Sequence, residues 1–61
     1  MNKAYAKERI RHFKKFIDYW TKQRDSCEVL TIDQAKWYSH CQHRIYEGKD
    51  KLKYYEEKLN E

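Results

Sequence analysis

At 61 residues, with a net charge of +4 and 39% charged side chains, the chain holds one small domain with a thin core. Two cysteines and an opening MNKAYAKERIRHFKKF without an apolar leader core argue against a disulfide-built secreted scaffold. No stretch approaches the ~20 apolar residues of a membrane span, so the expectation is a reduced, cytoplasmic protein with no membrane contact.

From Ala6 onward, apolar residues recur at steps of four and three: Ala6, Ile10, Phe13, Ile17 and Trp20, followed by Arg24 and Cys27. This spacing predicts a first helix over about 3–26, with Asn2 as its N-cap. Phe16 and the row Tyr5, His12 and Tyr19 lie beside the stripe. At about 100° per residue they widen the apolar and aromatic arc to about 160°, more than one facing helix covers. Residues 1–24 carry eight basic side chains against two acidic ones, and residues 25–61 carry six against eight. Helix 1 is therefore the basic element.

A link over about 27–31 leads to Thr31-Ile32-Asp33-Gln34. That run fits a capping box, with Leu30 and Ala35 at the two positions of a hydrophobic staple and Asp33 favourable to the dipole. A second helix is predicted over about 32–59. Tyr38, Ile45, Leu52 and Leu59 form one heptad row, and Cys41, Gly48 and Tyr55 form the next. The phase does not slip across Gly48 and no capping residue follows it. A continuous helix in which Gly48 admits a close neighbour is favoured over a glycine cap and a short third helix.

Two long helices on a short link predict an all-α, antiparallel two-helix hairpin in a single domain over 1–61. Trp20 is expected opposite Trp37 and Tyr38, and Ile10 or Phe13 opposite Gly48. The expected core is Ile10, Phe13, Ile17, Trp20, Tyr38, Cys41, Ile45, Leu52, Tyr55 and Leu59. Two helices leave part of such wide arcs uncovered, and a homodimer forming a four-helix bundle is the favoured way to cover them.

Little supports chemistry. His40, Cys41 and His43 are close in sequence, with His12 and Cys27 elsewhere, but Cys41 belongs to a core row and no paired CxxC or HExxH spacing exists. A hairpin has no deep pocket in which to orient a nucleophile and base. The expectation is no enzyme activity, no metal, no cofactor and no small-molecule substrate.

Macromolecular binding remains. Tyr46 and Tyr54 fall off the heptad rows, with Lys53 nearby, and Trp37 and Tyr5 sit at the edge of those rows. Tyrosine, tryptophan and arginine are enriched where interfaces gain most of their energy, so these five residues are the expected protein-binding set. The alternative is nucleic acid met by Lys7, Arg11, Lys14, Lys15 and Lys22 on the polar side of helix 1. No helix-turn-helix, zinc-finger or RNA-sheet signature accompanies them.

The whole-chain pattern resembles the Rop family of plasmid RNA-binding regulators, helical hairpins that dimerise into four-helix bundles; the likeness is one of pattern and transfers no site residue. Locally, Trp37-Tyr38-Ser39-x-x-x-His43-Arg44 is similar to a helical segment of the Hha family of nucleoid-associated modulators, which bind the chromatin protein H-NS. The compact, lysine- and tyrosine-rich composition is also that of phage and plasmid proteins that disable a host protein. The resulting expectation is a stoichiometric inhibitor or adaptor acting on a host or cellular protein, its most concrete form an anti-defence or anti-CRISPR protein. A nucleic-acid-binding regulator is the alternative.

Overall fold

The computed structural model describes residues Met1–Glu61 as two antiparallel helices and no strands. Helix α1 spans Lys3–Asp25 and α2 spans Ile32–Leu59. Asn2 caps α1, its side-chain oxygen accepting from the Ala4 amide at 2.7 Å. At α2 the capping box forms in full: the Gln34 amide donates to Thr31 Oγ1 at 3.1 Å, and Gln34 Oε1 accepts from the Thr31 amide at 2.9 Å. Gln34 Oε1 also accepts from the Leu30 amide at 2.8 Å. Leu30 is 78% exposed, so the expected staple adds little burial, and these hydrogen bonds secure the entry to the helix. Thr31→Ala should destabilise the fold by about 1 kcal/mol, the usual cost of losing such a cap, read as a lower urea midpoint with unchanged slope.

Helix α2 continues through Gly48 without positive φ, and Gly48 is buried with Ala6, Phe13, Cys41 and Ile45. A Cβ built on Gly48 would lie 2.8 Å from Ile17 Cγ1 and 2.8 Å from Phe16 Cδ1. The residues opposite Gly48 are thus Phe16 and Ile17, about one helical turn beyond the expected Phe13 and two beyond Ile10. Phe13 instead stacks on Tyr55, with centroids 6.0 Å apart and planes 16° from parallel. Trp20 meets Trp37 at 5.9 Å as expected. Tyr38, expected in the core, is 39% exposed: at about 100° per residue it lies some 50° from the line through Cys41, Ile45 and Gly48. Across the helices, Arg24 Nη1 donates to Gln42 Oε1 at 2.7 Å, and Gln42 Nε2 donates to the Tyr46 hydroxyl at 2.8 Å.

The hairpin measures 45 × 14 × 11 Å with a radius of gyration of 14.2 Å; a compact chain of this length has about 10.5 Å. Its accessible surface is 4833 Å², about 500 Å² above the roughly 4,300 Å² of a compact monomer of 7.7 kDa. Only five residues are buried, and Ile10, Phe16, Ile17, Trp20, Leu52, Tyr55 and Leu59 are half-buried, so the apolar arcs are covered only in part. No helix is long and apolar enough to cross a membrane.

Cys41 is fully buried, and burial pushes its thiol up, with the neighbouring Cys27 adding to the shift. The thiolate is the reactive form, so native alkylation should mark Cys27 and spare Cys41 by about a hundredfold, since Cys41 opens only with the ~3 kcal/mol fold. Equal labelling of both in buffer would contradict this packing.

Candidate interaction surface

The row Tyr5, Arg9, His12, Phe16 and Tyr19 follows the core stripe of α1 one residue behind at every step, so it emerges on one long side of the hairpin. The corresponding side of α2 carries Trp37, His40, Arg44, Lys51, Tyr54 and Tyr55. The two rows join in a ladder of rings. Tyr5 meets Tyr55 at 6.1 Å, Tyr55 meets Phe13, and Phe13 meets Phe16 at 5.9 Å. Phe16 meets Trp20 at 6.2 Å, and Trp20 meets both Trp37 and His40, the latter at 5.4 Å. Tyr54, His12 and Tyr19 branch from it at 5.1, 4.9 and 5.1 Å. Of the ten Phe, Trp and Tyr residues, only Tyr38 and Tyr46 stand outside. The packing is predominantly edge-to-face and tilted, the arrangement ring quadrupoles favour. It leaves Tyr5, Tyr19, Trp37 and Tyr54 exposed on their outer sides.

Between the helices this side opens into a groove with Phe13, Phe16, Gly48 and Tyr55 along its floor. Arg9, His12, Arg44, Glu47, Asp50, Lys51 and Tyr54 form its walls. The Arg9 guanidinium lies over Phe13 at 4.9 Å and near Tyr55 at 5.8 Å. Arg44 Nη1 donates to Glu47 Oε2 at 3.1 Å.

The five residues expected to bind protein divide between two sides. Tyr5, Trp37 and Tyr54 belong to the ladder. Tyr46 is hydrogen-bonded to Gln42 on the other side, where the helical phase also places Lys53. A spacing of eight residues separates Tyr46 from Tyr54 by about 80°, enough to send them to different flanks. The basic set also divides. Arg11 pairs with Glu8 at 3.1 Å and Lys22 with Asp18 at 3.0 Å, both exposed pairs within α1. Lys7, Lys14 and Lys15 are exposed with no ion-pair partner. Arg9, Arg44 and Lys51 lie outside both sets expected from the sequence, because their role as groove walls depends on how the helices pair.

No group of three His, Cys, Asp or Glu side chains comes together as a metal site. A second apolar patch sits at the hairpin tip, where Val29, Leu30 and Ile32 are exposed, but no polar group there orients a ligand. No family model, curated protein or solved structure matches the chain.

Proposed function

We propose that the protein is a small inhibitor or adaptor that acts by stoichiometric association with a cellular protein through its aromatic side. The supporting observation is the open ring ladder, with exposed Tyr5, Trp37 and Tyr54 around an arginine over aromatic faces. This combination of residue types dominates the binding energy of protein interfaces. A compact, lysine- and tyrosine-rich composition is common among phage and plasmid proteins that disable a host protein, and an anti-defence role is the most concrete form of the proposal. Pairing of two hairpins into a four-helix bundle is the other way to cover the face.

Nucleic-acid binding is the second reading, favoured by the unpaired Lys7, Lys14 and Lys15 on the outside of α1. Affinity capture from extracts of the source cells separates the two. With the wild type, a partner protein should be retained one-to-one, lost with Trp37→Ala/Tyr54→Ala and kept with Lys14→Glu/Lys15→Glu. The reverse pattern, with nucleic acid retained and a steep dependence on salt, would establish the second reading. Light scattering on the purified chain reports whether it pairs with itself.

A further inference from the structure

We infer that the groove receives an acidic amphipathic helix of a different protein, with Arg9 meeting the partner's carboxylate. This rests on the protein-binding reading above and specifies the chemistry of the partner.

Arg9 differs from every other arginine in the chain. Arg11 is bonded to Glu8, Arg24 to Asp25 and Gln42, and Arg44 to Glu47. Arg9 has no ion pair and no hydrogen bond, and its Nε is shielded from solvent without a partner. The rings of Phe13 and Tyr55 hold its stem and attract its charge, but neither accepts its N–H donors. A guanidinium offers five such donors in a planar fork, and a carboxylate is the acceptor that fits that fork. A carboxylate meeting the outer N–H donors of the fork would pair the one arginine charge that the hairpin leaves without an acidic partner, which makes Arg9 a residue prepared for a ligand.

Shape and charge specify what bears the carboxylate. The groove runs between two antiparallel helices, the site where a third helix seats its ridge in a bundle. Beside Arg9, its walls carry Arg44 and Lys51 against Glu47 and Asp50, and Glu47 is already held by Arg44. The charge left unbalanced is positive, as is the chain at +4, so a complementary partner is acidic. A second copy would bring one net positive groove against another, whereas an acidic helix complements it, and the inference commits the groove to a different protein.

The test is selection from a displayed library of helices of about twenty residues. An apolar stripe is held constant and the flanking positions are randomised, with the full-length protein as bait. On the wild type, binders should concentrate Asp or Glu at one position flanking the stripe. Arg9→Met keeps the apolar stem and removes the fork. It should weaken those binders by about 30-fold or more, as loss of a hydrogen-bonded charge partner does, while the melting temperature stays the same or rises. Binders without an acidic preference, or indifferent to Arg9→Met, would overturn the role of Arg9 but leave protein binding intact. If no helix is selected, or the selected ones bind Trp37→Ala/Tyr54→Ala equally well, the protein-binding reading falls with it. A solution dimer that Arg9→Met dissociates would assign the groove to a second copy and overturn the inference.

Discussion

Ile45→Ala should leave the chain largely unfolded at 25 °C. Ile45 is 2% exposed and belongs, with Cys41, to the small fully enclosed part of the interface. Truncation of a buried isoleucine costs about 2–5 kcal/mol, through lost burial and the cavity left behind. A domain of this size has roughly 3–5 kcal/mol in total, so one substitution is enough. The neighbouring Tyr46 gives the control: it is 55% exposed, its hydroxyl accepts only from Gln42, and Tyr46→Ala should stay within about 0.5 kcal/mol. Far-UV circular dichroism and urea melts of the two variants make the comparison. Similar losses at both positions would mean that α2 presents a different face to α1.

Gly48→Leu should be equally damaging, and Gly48→Ala should be destabilising despite the helix preference for alanine. On an exposed helix, replacing glycine with alanine gains about 1 kcal/mol. Here the new carbon would meet Ile17 Cγ1 and Phe16 Cδ1, each at 2.8 Å. Neither is the free end of a flexible chain: one is bonded to its Cβ and the other belongs to a ring. Overpacking of this kind costs about 1–3 kcal/mol, leaving Gly48→Ala a net loss of about 1 kcal/mol. Leucine adds three further carbons and should cost about 3 kcal/mol or more. Thermal melts of both variants check the order. A rise in midpoint for Gly48→Ala would show that the helices sit farther apart than this contact requires.

The Gly48 contact also explains why the groove has the floor it does. Close approach at Gly48 draws Phe16 against α2, and Phe16 links Phe13 to Trp20 in the ladder. A larger residue at Gly48 would separate the helices and break that link. Its effects on stability and on partner binding should therefore move together, whereas those of Arg9→Met should separate.

Features set within about four residues were legible in the sequence. The Asn2 cap, the Thr31–Gln34 capping box and the helical period all depend on short-range spacing and hydrogen bonding. The unbroken phase through Gly48 likewise pointed to one long α2. The register of α1 against α2 was not legible, because sliding one helix past the other by a turn of about 5.4 Å breaks no local hydrogen bond. Side-chain volume decided it, with Phe16 and Ile17 meeting Gly48 where Ile10 or Phe13 was expected. The same packing brought Tyr54 and Tyr55 to the groove and left Arg9 over two rings without an acceptor, whereas the roughly 80° between Tyr46 and Tyr54 follows from their spacing alone. The amino-acid sequence by itself determined two capped helices with more apolar surface than one neighbour covers. Only the tertiary structure decided which rings and charges share a face, because that depends on contacts between residues far apart in the chain.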